Sequence, residues 1–276
     1  MNGKNLVHQP SFKPNGLMMC YIIETADDKL IVIDGGQKTE AEQLYEYLKT
    51  LRQSDKVYVD MWLFTHAHDD HVDAAMELFE AHRDDVTVGK LYYNYPKAED
   101  VAIYEKGCEI TPATFCERYD DLSSRMELVK FEEGMTFECG EAKFEVLYVP
   151  DYTIKNNYVN NTSSVFRMTL SGKTFMFLGD LGVEGGRVML SKHSSYLKSD
   201  YVQMAHHGQN GVDRPVYEAI APSACLWDTP TWLWNNNAGK GWNSHFWKTV
   251  IVQGWMAELG VKKHYIAKDG PKSFEP

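Results

Sequence analysis

Apolar residues come in short runs along this chain, and several runs end in a knot of polar residues. Residues 30–33 read as a buried strand that stops at the turn Asp34-Gly35-Gly36. Helical spacing follows over 39–51, where Leu44, Leu48 and Leu51 share one face and Thr39 and Glu42 stand at capping-box spacing. A second strand, 57–64, runs directly into Thr65-His66-Ala67-His68-Asp69-Asp70-His71. A helix over 72–81 comes next, with Ala75, Leu78 and Phe79 on one side.

Residues 91–93 read as a further strand. The segment 97–128 is mainly helical in pattern, broken near Pro112, and could form an inserted cap. Hairpins are predicted over 137–148, around Gly140-Glu141, and over 165–178, turning at Ser171-Gly172. The second hairpin ends in Gly179-Asp180. A helix over 183–192 precedes a strand over 201–205 that ends in His206-His207-Gly208. The remaining elements are a helix at 215–220, a strand at 224–227, an amphipathic helix at 247–259 stopped by Gly260, and a strand at 264–267.

Strands and helices are mixed twice over. Two sheets packed face to face, with helices outside, satisfy this α+β pattern. No Pro/Gly/Ser-rich linker divides the chain, so residues 1–276 read as a single domain.

Composition narrows the function classes. Hydrophobic residues make up 43% and charged residues 24%, which excludes a disordered chain. The net charge of -11 argues against a nucleic-acid partner, which calls for a basic face. Five cysteines without CxxC spacing argue against a disulfide framework and a zinc knuckle. Residues 1–16 lack the apolar stretch of a signal peptide, and no run approaches the ~20 apolar residues of a membrane span. The expectation is a cytoplasmic protein with no membrane partner.

The chemistry starts at His66-x-His68-x-Asp70-His71. Alternate residues of an extended segment point the same way, so His66 and His68 can bind one metal ion from one side. Asp70 and His71 lie where the chain turns into a helix and can reach a second. Imidazole and carboxylate are the ligands of catalytic zinc, with one position left for water.

The order Asp34-Gly35-Gly36, the 66–71 cluster, Gly179-Asp180 and His206-His207-Gly208 resembles the metallo-β-lactamase superfamily. The last two pieces look most like its DNA-uptake competence-protein branch and the related phosphorylcholine esterases. The resemblance implies an αββα four-layer sandwich with two zinc ions, or manganese or iron, at one edge. It implies that Asp34 braces the metal loop and that Asp180 bridges both ions. His206 or His207 completes the second ion's ligands, with His206 favoured by analogy and His207 left to contact substrate or donate a proton. Asp70 would help orient the nucleophile. The family usually supplies a further histidine before Asp180, but none occurs here between His82 and His193. Asp151, in Leu147-Tyr148-Val149-Pro150-Asp151-Tyr152, is the expected substitute.

Six of the seven tryptophans fall between Trp227 and Trp255, which makes 227–247 an aromatic loop. Trp232, Trp234 and Trp242 could stack on a small-molecule substrate, and Lys240 could meet a phosphate. Asn161 resembles the Asn-rich stretch of the competence branch and is a further candidate for substrate. The function these features imply is zinc-dependent hydrolysis of a phosphoester or phosphodiester. The alternatives are a lactone, thioester or β-lactam hydrolase of the same fold, and a non-enzymatic metal-dependent binding protein. Oligomeric state is not encoded in any of these features.

Overall fold

The strand Leu30–Asp34 is buried at every position because its two faces are covered by different layers. It is the third of fourteen strands in the computed structural model, which describes residues 3–13 and 15–276. In chain order these are β1 (Leu6–Gln9), β2 (Cys20–Glu24), β3 (Leu30–Asp34), β4 (Val57–Leu63), β5 (Val86–Tyr93), β6 (Glu127–Lys130) and β7 (Thr136–Cys139). There follow β8 (Ala142–Tyr148), β9 (Val165–Leu170), β10 (Lys173–Phe177), β11 (Tyr201–Gln203), β12 (Ala224–Trp227), β13 (Lys263–Ile266) and β14 (Lys272–Phe274).

One sheet has the order β14-β1-β2-β3-β4-β5-β6, and the other β13-β12-β11-β10-β9-β8-β7. Strands β3 to β6 run parallel, as do β10 to β13, and the remaining pairs are antiparallel.

Period-two alternation distributes the strand residues between layers. Ile31, Ile33 and Leu63 point inward and meet Phe144, Phe166, Phe175 and Phe177 of the second sheet. Leu30, Val32 and Trp62 point outward and meet Leu44 and Leu48 of helix Ala41–Arg52 and Leu78 and Phe79 of helix Asp69–Ala81. On the far side, Met176, Val202, Cys225 and Trp227 pack against helices Val183–His193, Arg214–Ile220 and Thr249–Glu258 through Met189, Val216, Ile220, Val252 and Met256. The layers therefore run helix, sheet, sheet, helix, which is the αββα sandwich expected from the sequence.

Several details differ from the sequence reading. Strands β1, β2, β6 and β14 are three to five residues long, too short to display an alternation. The cap of the first helix lies earlier than expected, because Glu40 accepts the Gln37 N–H at 3.0 Å ahead of a 3-10 turn, Lys38–Glu40. The segment 97–128 contains three short helices, Ala98–Tyr104, Ile110–Glu117 and Tyr119–Arg125, before β6 begins. Phe115 and Leu122 anchor it to the helix-side core. The segment 227–247 is not all loop, since Thr231–Trp234 forms a helical turn.

Candidate metal centre

The parallel strands deliver their following residues to one edge of the sandwich. Strand β4 leads into Thr65 to His71, β10 into Gly179-Asp180, β11 into His206-His207, and β12 into Asp228. The Ser164 N–H donates to the Thr65 carbonyl at 2.8 Å, and the His206 N–H to the Gly179 carbonyl at 3.1 Å, which ties these ends together. Gly179 has φ +54°, and a Cβ there would stand 2.9 Å from both Ser163 Oγ and Thr65 Cβ. His206 and His207 both take left-handed φ values of 53°. Two consecutive non-glycine residues in that region cost strain that surrounding structure must hold.

Three histidines point Nε2 into the site because each Nδ1 is held from outside. His71 Nδ1 donates to Asp34 Oδ2 at 2.8 Å. The Thr65 hydroxyl donates to the same oxygen at 2.7 Å, so it accepts from His66 Nδ1 at 3.2 Å. His207 Nδ1 donates to the Asp228 carbonyl at 2.9 Å. Asp34 is fixed by a further bond from the Thr65 N–H at 2.8 Å. This outer set of acceptors selects the tautomer that a metal-ligating histidine needs.

Inside this ring, donor atoms of six residues converge. His71 Nε2 lies 3.1 Å from Asp180 Oδ1, and His207 Nε2 lies 3.0 Å from Asp70 Oδ2 and 3.6 Å from Asp180 Oδ2. His66 Nε2 is 4.0 Å and His206 Nε2 3.7 Å from Asp180 Oδ2. Two groups, His66/His71/Asp180 and Asp70/His71/His207, each bring one donor atom per residue within 4.8 Å of the others. Yet His71 Nε2, His207 Nε2 and Asp180 Oδ1 are buried without a hydrogen-bond partner. Buried polar atoms carry such a cost only where something else satisfies them. A divalent cation bound by imidazole and carboxylate fits this donor set.

The charges of these groups depend on one another. Burial opposes the charge on Asp180, but His71, His207 and His206 outweigh it and hold the carboxyl well below its usual range. Burial likewise opposes a proton on His207, but Asp180 and Asp70 lift it to about 9. His71 is raised by Asp180 and Asp34 against its burial, while burial drives His66 well below the usual imidazole range.

The residues nominated from sequence divide into two sets. His66, His71, Asp70 and Asp180 meet at the centre, with Asp34 behind them. His68 turns Nδ1 toward His66 Nε2 at 3.1 Å. Of the paired histidines, His207 is fully buried and stands in a donor group, while His206 is partly exposed at the edge, 3.7 Å from Asp180 Oδ2. Strand parity could not show this, because both residues leave the extended conformation. Asp151 is not in either group. Its Oδ1 accepts from the Thr153 N–H at 3.0 Å and from the Thr153 hydroxyl at 2.6 Å, closing a local turn.

The substrate candidates are also placed differently from expectation. Asn161 is buried, with its amide donating to the Asn156 carbonyl and its Oδ1 accepting the Gly185 N–H. Those bonds make it a brace between Tyr158–Asn161 and the next helix. Trp234 packs edge-on against Trp227, and Trp232 packs on Trp247 while donating to the Asn15 carbonyl. Trp242 is 69% exposed. A cleft of about 360 Å³ opens beside His206, bordered by Asn156, Asn157, Asn210, Phe246 and Lys248 among others. Phe246, Lys248 and the acid Glu184 line it, and Trp232, Trp234, Trp242 and Lys240 do not. No spacing signal marks Phe246 or Lys248. Glu105, whose Oε1 lies 3.8 Å from His68 Nε2, was likewise invisible as a lone acid in a polar segment.

All five cysteines are free. Among the described residues, no helix is long and apolar enough to cross a membrane.

A family model described as the metallo-β-lactamase superfamily matches residues 18–122. No curated protein matches the sequence significantly. Among solved structures, the metallo-β-lactamase fold protein YhfI from Bacillus subtilis is similar at 12% identity and a TM-score of 0.60, covering 99% of this chain and 100% of its own. Zinc-bound PqqB from Methylobacterium extorquens gives 10% identity, a TM-score of 0.57 and coverage of 99% and 100%. A diphosphatase of the PhnP family gives 15%, 0.51, and 98% of each chain. The fold is thus the metallo-β-lactamase fold, and the family model marks its features over the matched residues.

Proposed function

We propose that this chain is a metal-dependent hydrolase that uses two divalent cations, zinc first among them, on a phosphoester or phosphodiester. The observation that carries the reading is the set of buried, unpartnered donor atoms of His71, His207 and Asp180 facing one another. His66, His68 and Asp180 would hold one ion, and Asp70, His71, His207 and Asp180 the other. Bound together, such ions lower the pKa of a water molecule and offset charge on the group it attacks.

The protein's own residues do the rest. Asp34 and Thr65 keep Nε2 of His71 and His66 turned inward. Asp70 orients the nucleophile from a buried position beside His207. His206 borders the open cleft, where burial lowers its pKa and keeps the ring neutral, suited to hydrogen-bond the substrate. The amides of Asn157 and Asn210 and the Lys248 ammonium suit a small phosphate-bearing substrate. The diphosphatase among the similar folds supports that class. Five free thiols suit a reducing cytoplasm, and the net charge of -11 disfavours nucleic acid.

The test is metal content followed by turnover. Elemental analysis for zinc, manganese and iron should find about two ions per chain, and bis(p-nitrophenyl) phosphate should be hydrolysed. Turnover confined to lactones, thioesters or β-lactams would reassign the substrate. A chain that binds ions but turns over nothing would be a binding protein. One that takes up no ion at all would remove the reading.

A further inference from the structure

A third group of donor atoms meets on the outer side of His68. Because Nδ1 of that ring faces His66, its Nε2 points away from the centre. Glu105 Oε1 stands 3.8 Å from it, and Cys108 Sγ completes a trio whose donor atoms all lie within 4.8 Å of one another. All three residues are half-buried.

Each member is held in place by a different atom. Glu105 follows helix Ala98–Tyr104, and its second oxygen accepts the Val159 N–H at 2.8 Å. The Cys108 N–H bonds back to the Glu105 carbonyl at 3.2 Å, which sets the turn between them. Cys108 packs beside Ala67, Val101, Tyr158 and Val159 and forms no disulfide. His68 begins helix Asp69–Ala81 as its N-cap. A separation of 3.8 Å is too long for a hydrogen bond. It suits two ligands of one ion whose bonds are about 2.0–2.3 Å long.

We propose that His68 Nε2, Glu105 Oε1 and Cys108 Sγ form a rim site for one additional thiophilic divalent cation of the zinc class. It goes beyond the hydrolase reading and rests on it only through the shared His68. The donor set selects the ion: a thiolate and an imidazole favour zinc, cobalt or cadmium over magnesium and calcium. Binding breaks the S–H bond of Cys108 and the Nε2–H bond of His68, releases both protons to solvent, and forms S–metal and N–metal bonds without any redox change. His68 is then an imidazolate shared with the centre. The rim ion therefore binds last and most weakly. Its occupancy fastens the 98–125 helices to the loop that carries His66 and His68.

The experiment titrates the full metal-free chain with cobalt(II). Bound cobalt is counted by equilibrium dialysis, and thiolate-to-cobalt charge transfer is followed in the near ultraviolet. The expected result is no thiolate band while the first two ions bind, and a band that grows with a third. Cys108→Ser should keep two ions and lose both the band and the third ion. Glu105→Gln should show the band only at higher cobalt. No thiolate band in the wild-type chain at saturation, or three ions retained by Cys108→Ser, overturns the proposal. So does a Glu105→Gln chain that loses affinity for the first two ions where the wild type shows no band, since Glu105 would then merely orient His68. A wild-type chain that binds a single ion marked by the thiolate band would sink the two-ion reading and leave the rim site standing.

Discussion

Asp34 and His71 are joined by a 2.8 Å hydrogen bond in which neither side chain is exposed at all. The bond commits His71 Nδ1 as donor and leaves Nε2 for the centre. Asp34→Asn would put an NH2 in place of one accepting oxygen, so either the Thr65 N–H or the His71 and Thr65 side-chain donors lose their acceptor. Loss of such an outer partner typically costs ~10–100-fold in metal affinity. Competition against a chelator measures it; an unchanged affinity would show that Asp34 only shapes its turn.

His207 and His206 should separate cleanly. His207→Ala is expected to bind about one ion fewer and to lose turnover. His206→Ala is expected to keep its ions and to lose turnover mainly through weaker substrate binding, read as a raised KM. Metal counting on both variants decides between them, and a loss of metal in His206→Ala alone would restore the opposite assignment.

Asp151→Asn should leave metal content and turnover unchanged, because the carboxylate is committed to Thr153. Thermal stability should move by no more than about 1 kcal/mol, the worth of a surface-loop hydrogen bond. A chain that loses an ion on this change would bring Asp151 back as a ligand.

Gly179→Ala should be severe. The new Cβ meets Ser163 and Thr65 at 2.9 Å, and the left-handed φ adds strain of about 1–3 kcal/mol on its own. Denaturant unfolding should report the loss of stability, and metal content should fall with it because Asp180 is the next residue. A variant of wild-type stability would mean that the sheet edge can yield.

Asp228 gives a pH dependence. Burial pushes its carboxyl up to about 6, even though Tyr21 and Gln9 donate to it. A raised carboxyl favours the folded state in its protonated form. Its contribution is complete below about pH 4 and is lost as pH rises through about 6, a swing of roughly 3 kcal/mol. Asp228→Asn should therefore gain stability relative to wild type between pH 4 and pH 8, read from denaturant midpoints across that range. A pH-independent difference would contradict the buried-carboxylate account.

Much of this was legible in the residues. The alternation and apolar runs at 30–33, 57–64 and 174–178 marked the strands that form the middle of each sheet, because covered strands must be apolar on both faces. The polar knots after them stood out against that background, so His66, His68, Asp70, His71, Asp180 and the histidine pair could be named in advance. The short strands β1 and β14 could not be found this way, since each offers only three or four residues and they pair with each other from opposite ends of the sequence.

The sequence by itself determined the composition of the layers and the kinds of donor atom available, since periodicity and side-chain chemistry are local properties. Only the tertiary structure decided which donors share a centre. His207 stands in a donor group and His206 at its edge because two left-handed residues swing the chain out of the strand geometry that parity arguments assume. Asp151 stayed outside because a neighbouring threonine satisfies it first. Glu105 and Cys108 reached His68 because the 98–125 helices pack over that edge, a juxtaposition set by packing between segments that no spacing along the chain records.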